Sequence, residues 1–408
     1  MARNTNKKSK GTLGLVVFLI VFFAFFGGLS AAMGLQNMLG TFMQTAYHLL
    51  LETVLYICAI CVMTGAISKL FVEFGVVDLL EKLLRPLMKP LFRLPGVASL
   101  GAVMTFLSDN PAIITLSKDK SFSKYFKKYQ MVSLTNFGTA FGMGLVVVCV
   151  MVSYGYGKGA LVGLFGAVCG CIISTRLMQR FTLKAYPEYD SPALTEAELK
   201  ILDMQQNMQE NISSLDAELD VDQAAVVELQ QKEKKSGFMR VLDAILDGGM
   251  DGVAIGKAII PGVLVISTIV MMLTFGPADA SKGYAGVAYE GVPVIPWLAG
   301  KIDFIFDWLF GFKAPELIAF PITALGAVGA ALGLIPGFVN AGIIDNNAIA
   351  VFTAMGMCWS GYLSTHTAML DSMGYRNLIS KAIGAHTIAG LCAGIIAHFM
   401  YVLLAAIF

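Results

Sequence analysis

Apolar runs of about twenty residues recur along the whole chain, at 12–33, 44–70, 131–153, 159–178, 253–275, 346–364 and 378–407. An α-helix rises about 1.5 Å per residue, so each run is long enough to cross a hydrocarbon core roughly 30 Å thick. In lipid the backbone must satisfy its own N–H and C=O groups, which a helix does within one segment. The expected fold is an all-α polytopic membrane protein. A further run, 314–335, is either an eighth span or a re-entrant element. Only 14% of the 408 residues are charged and mean hydropathy is +0.71. The surface of a soluble protein would need roughly a quarter charged residues.

The first run follows "MARNTNKKSK", exceeds 20 residues and is not closed cleanly by a small-x-small cleavage site, so it reads as a retained helix, with 1–43 as helix plus connection. Net charge is +1, which gives no global field for nucleic acid. Basic residues concentrate instead at the N-terminus and in 81–93, 117–128 and 176–184, and the positive-inside rule assigns all four to the cytoplasm. The seven cysteines lie in apolar spans and read as small buried hydrophobes rather than metal ligands or disulfides.

Two membrane blocks, 44–184 and 246–408, flank an acidic segment at 185–245. Twelve acidic residues fall within 185–240, where "TEAEL" carries the Thr195 to Glu198 spacing of a capping box. This is expected to be a cytoplasmic helical linker. The blocks echo one another in order: "LGAV" at 100–103 and 325–328, "DNPAI" at 109–113 and "DNNAI" at 345–349, "TAFGM" at 139–143 and "TAMGM" at 353–357. An amphipathic segment precedes each set, at 76–92 and 296–310. If span 44–70 runs inward and 253–275 outward, the two units are inverted repeats, an architecture common among secondary transporters.

"LSDNPAII" is a helix start inside an apolar run. Asparagine before proline is pushed out of the α region, and proline suits the first helical position. From Gly96 to Asp109 there is about 20 Å of helix, too short to cross and return. Both flanks are basic, so a re-entrant hairpin with its tip at Ser108, Asp109 and Asn110 is expected. In the second block Pro336, Gly337, Asn340 and Gly342 interrupt the run before Asp345 caps the next helix, beside Asn346 and Asn347. Symmetry favours a second hairpin there, although 314–335 is long enough to span fully. Thr135, Asn136, Thr139, Ser360, Ser364, Thr365, His366 and Thr367 are the other polar residues expected near the two tips. Intramembrane polar groups are costly and usually face a cavity or a partner. His48 and Glu52 are assigned to the outer interface, and His386 and His398 to helix packing.

The stretch "GVVDLLEKLLRPLMKPLFRLPG" leading into "LGAVMTFLSDNPAI", with the second "LGAV…DNNAI" unit, resembles the nucleoside-recognition or Gate domain family of bacterial membrane proteins. That family includes the spore-maturation A and B pair, with similar domains in ferrous iron transporter B and concentrative nucleoside transporters. The resemblance implies two Gate-like units in one chain and no particular substrate.

The function expected is secondary transport of a small polar solute (nucleoside-like, amino-acid-like or an organic ion) across the bacterial inner membrane. Sodium or a proton is the expected coupling ion, a homodimer the expected assembly, and neither a cofactor nor nucleic acid is called for. No "GxxxxGK[ST]" loop of an ATP-driven pump occurs. The alternative is a non-transport membrane component acting through partners in envelope or spore development. Hydrolase chemistry is set aside, because "CWSG" lacks the first glycine of "GxSG" and neither aspartate sits in "GxGD".

Overall fold

The computed structural model describes residues 2–108, 111–202, 204 and 236–407, and they form helices with no β-strand among them. Six of these helices are long and apolar enough to cross a membrane. The chain is an all-α polytopic membrane protein.

Helix α1 (Ala2–Met33) stands to one side, with apolar residues such as Ile20 and Phe23 exposed. Helix α2 (Leu35–Glu73) opens the first unit, followed by amphipathic α3 (Val76–Leu87). Then come a short pair, α4 (Ala98–Leu107) and α5 (Pro111–Lys118), a broken span, α6 (Lys128–Thr139) and α7 (Gly144–Ser153), and the long α8 (Gly157–Ala185). The second unit repeats the order. Span α9 (Gly237–Met272) precedes α10 (Asp303–Phe310), a hairpin of α11 (Ala319–Gly326), α12 (Val328–Leu332) and α13 (Ile335–Asn340), a broken span α14 (Asn346–Trp359) and α15 (Tyr362–Ser372), and α16 (Ile379–Ile407).

Equivalent spans of the two units pack antiparallel, as inversion requires. Along α2 and α9, Gly65 abuts Gly248, Cys61 abuts Gly252 and Cys58 abuts Gly256, so one number rises as the other falls. Any side chain at Gly252 would collide with the backbone of Cys61 and Val62. Small residues one turn apart allow this close approach, which is what holds helices together where lipid is as apolar as leucine. Helices α8 and α16 do the same, with Gly166 against Ala397 and Gly170 against Ala389 and Ala393.

Both short-helix pairs double back. In the first, Gly101 on the way in and Ile113 on the way out meet beside Phe137. In the second, Phe320 stacks on Phe352 at 4.2 Å and Phe338 returns to the same ring at 5.9 Å. Between them lies Ala327, extended at φ −162°, ψ 118°. Of the two readings of 314–335, the hairpin is the one observed, with its tip at Gly326 and Ala327.

Beyond α8 the capping box forms as its spacing implies. The Thr195 N–H donates to Glu198 Oε2 at 2.9 Å and the Glu198 N–H to Thr195 Oγ1 at 3.3 Å. The Thr195 N–H and the Thr195 hydroxyl, which also donates to Oε2 at 2.8 Å, hold the Glu198 carboxyl below the usual glutamate range. Most of the rest of the linker, 205–235, lies outside the described residues.

Candidate functional site

The two breaks and the second hairpin tip meet around one cavity of about 290 Å³. Its walls are Ile255, Ala258, Ile259 and Gly262 of α9, the tip from Gly326 to Ala330, Met143 at the first break, and Ser360, Gly361, Ser364 and Thr365 at the second. At the breaks the backbone turns left-handed: Met143 has φ 55°, Ser360 φ 33° and Gly361 φ 70°. Positive φ at a methionine and a serine is strained, and such strain gathers at functional positions. Hydrogen bonds join the parts. Ser360 Oγ donates to Gly142 O at 3.3 Å, linking one break to the other. The Gly361 N–H donates to Ala324 O at 3.1 Å and Ser267 Oγ to Ala330 O at 2.7 Å, tying the tip to α15 and α9.

Chemically the cavity is neutral. No charged side chain lines it among the described residues. The hydroxyls of Ser364 and Thr365 both donate to Gly361 O at 3.1 Å, so their lone pairs remain for a solute that donates hydrogen bonds. At about 30 Å³ per water, the space equals roughly ten water molecules.

A second polar layer is buried among α6, α8, α14, α15 and α16. Asn136 Nδ2 donates to Ser174 Oγ at 3.0 Å and to Ala382 O at 3.1 Å. Ser174 Oγ lies 2.7 Å from His386 Nδ1, and His386 Nε2 meets the carbonyl of Cys358. A ring nitrogen facing a carbonyl must carry the proton, which assigns His386 the Nε2–H tautomer. His366 stacks edge-on to His386 at 4.6 Å, with Thr139 Oγ1 at 3.4 Å from its Nδ1. Its Nε2 is buried without a partner among the described residues. Thr135 Oγ1 donates to Val132 O at 2.9 Å and so serves its own helix.

Of the expected tip residues, Asp109 and Asn110 lie outside the described residues. Ser108 caps α4, its hydroxyl donating to Met104 O at 2.6 Å. Below it, Phe106 packs on Gly144 at the first break and Ser68 Oγ donates to Leu107 O at 3.1 Å, so this hairpin also ends against a break.

Asp345, Asn346 and Asn347 are not at a tip. They start α14, some 14 residues or about 21 Å of helix from Ser360. Asp345 Oδ1 accepts the Ala348 N–H at 2.8 Å and Oδ2 pairs with Lys313 at 3.4 Å. Asn346 accepts the Gly159 N–H at 3.1 Å. Buried Asn347 donates to Phe310 O at 2.8 Å and pairs with His398 Nδ1 at 2.8 Å. All three stitch helix ends together. Asn340 is exposed at the end of α13. The echo that had aligned "DNNAI" with "DNPAI" is out of register, because short matches recur readily in Gly/Ala-rich sequence. The second tip is "LGAV" at 325–328, whereas "LGAV" at 100–103 is inside α4.

Ser174 and the tip glycines were missed, and His386, assigned to packing, sits in the polar layer. Only Ser360 next to Gly361, a serine–glycine pair in an apolar run, marked the second break. His48 and Glu52 pair at 3.1 Å with partly exposed side chains.

No protein-family model matches the chain. An uncharacterized protein of Alkalihalophilus pseudofirmus is 26% identical over 305 residues, 74% of this chain and 57% of that protein. The match thus spans little more than half of that relative's length. Among solved structures, a variant of CNTnw in an intermediate 1 state has a TM-score of 0.50 at 13% identity, over 96% of this chain and 86% of that chain. Another CNTnw variant, outward-facing, gives 0.50 at 14% identity over 97% and 86%. CNTnw is a concentrative nucleoside transporter. The chain has a membrane transporter fold. At these identities the likeness shows fold alone, and it extends over nearly the whole chain.

Proposed function

We propose that the protein is a secondary transporter of a small, uncharged polar solute, with its site in the 290 Å³ cavity between the second hairpin tip and the two breaks. That cavity is the observation on which the reading rests. Nucleoside-like solutes suit it better than organic ions, since a buried ion would need a partner that the described lining lacks. The likeness to a concentrative nucleoside transporter supports the same solute class, and membership of the Gate domain family is proposed with it. Alternating access is the rocking of the hairpin and broken-span parts against the α2/α9 pair. A sodium ion or a proton supplies the driving force. The basic ends of α3, α5 and α8 are assigned to the cytoplasmic side of a bacterial inner membrane, with the N-terminus and the 185–245 linker.

Counterflow in proteoliposomes tests the reading. Labelled uridine or adenosine should exchange above protein-free vesicles, and Ala327→Trp, which fills the cavity, should lower exchange at least tenfold. Asp345→Asn should leave exchange within about twofold of wild type. Exchange that survives Ala327→Trp in folded protein would remove the site.

A further inference from the structure

We propose that the first unit holds a structural phospholipid, one acyl chain of which fills a second cavity and whose anionic headgroup rests on the basic face of α3. This cavity, about 350 Å³, lies beneath α3 and is lined only by apolar side chains. Leu80, Leu84 and Leu91 form its roof, Ala102 and Val103 of α4 and Leu164 of α8 its walls, and Phe71 of α2 closes one end. It is open along one side, and the chain's own side chains leave it unfilled, unlike a packed interior, which rarely leaves voids above the size of one water. In a bilayer the apolar filler at hand is a lipid chain. At about 30 Å³ for a water-sized group, the volume holds roughly a dozen methylenes.

The roof helix supplies the second half of the argument. Leu79 and Leu83 face outward, 66% and 67% exposed, Leu87 is 43% exposed at the cavity's rim, and Leu80, Leu84 and Met88 face the cavity. The apolar arc therefore covers half of α3, and Asp78, Glu81, Lys82, Arg85 and Lys89 share the other side, the pattern of a helix lying in the membrane interface. Arg85 is paired with Glu81 at 2.6 Å. Exposed Lys82 and Lys89 form no ion pair among the described residues, and Arg93 and Arg180 are exposed at the same end. Cations above an apolar slot match a phosphate above an acyl chain. The occupant would touch α2 on one side and the stem of the first hairpin on the other.

Native mass spectrometry of the full chain, purified in mild detergent from membranes containing phosphatidylglycerol and phosphatidylethanolamine, tests the proposal. Wild type should retain one phosphatidylglycerol. Val103→Trp should retain none, Ala102→Leu severalfold less, and Lys82→Glu with Lys89→Glu should lower the phosphatidylglycerol to phosphatidylethanolamine ratio at least fivefold. If wild type retains no lipid, retains both lipids equally, or retains as much after Ala102→Leu, the proposal is overturned. Should both filling variants fail to fold, Leu84→Trp decides. Brominated-chain phosphatidylglycerol must quench the emission that this tryptophan adds to that of Trp297, Trp308 and Trp359, and added emission unchanged by that lipid overturns the proposal.

Discussion

Single residues divide between those that line the cavity and those that hold helices in place. His386 belongs to the second kind. Its ring satisfies Ser174 and the Cys358 carbonyl at once, while Asn136 bridges Ser174 and Ala382. Removing it strands buried polar groups, each of which costs about 1–3 kcal/mol. His386→Ala should therefore lower stability by about 2–4 kcal/mol, read as a fall in the denaturation temperature in detergent, whereas Ser364→Ala at the cavity wall should change stability by less than about 1 kcal/mol. Two residues outside the spans titrate in opposite ways. Burial, with the Glu52 carboxylate nearby, pushes the Tyr289 hydroxyl up to about 12. Its raised value makes its contribution to stability complete below the ordinary tyrosine range near 10 and lost as pH rises through about 12. A difference titration of Tyr289→Phe against wild type at 295 nm should show the missing phenolate only near pH 12. Glu198 is lowered, so its cap is intact above the usual glutamate range near 4.3 and lost as pH falls below it. Hydrogen exchange at the Glu198 amide, bonded to Thr195, should accelerate beyond its intrinsic pH dependence in that acid window.

At the scale of elements, the α2/α9 pair is the rigid part. Its glycines bring two backbones into contact, so Gly252→Val must force them apart. Overpacking of this kind costs about 1–3 kcal/mol or more. The expected outcome is loss of monodisperse protein on gel filtration, with Gly249→Ala, whose added methyl meets only a Val62 methyl at 3.6 Å, an ordinary contact, behaving as wild type. The spans and the first hairpin were legible because both follow from local rules: length of an apolar run, and asparagine before proline. The second tip was not. It turns at Gly326–Ala327 with neither proline nor charge, inside a run that hydropathy reads as continuous. Ser360 and Met143 turn left-handed through tertiary contacts rather than through residue preference. The polar layer joins Asn136 to His386 across 250 positions, a proximity no local pattern carries.

For the whole molecule, duplication was inferred from echoes that proved out of register, yet the inference that the two units are inverted holds. It rested on basic connections, which fix direction independently of any motif. Inversion puts equivalent helices antiparallel and brings both breaks to one level, where Ser360 bonds Gly142. A site built from both units at one depth is what alternating access requires. The α2/α9 pair and the parts bearing hairpins and breaks should then move as two bodies. The most direct measurement is sided labelling of Ser364→Cys in protein freed of its seven native cysteines. In oriented vesicles, a membrane-impermeant maleimide should reach this thiol from either side, and saturating solute should slow labelling from both. Labelling confined to one side under every condition, or unaffected by any solute that exchanges, would contradict a cavity that opens alternately to the two faces.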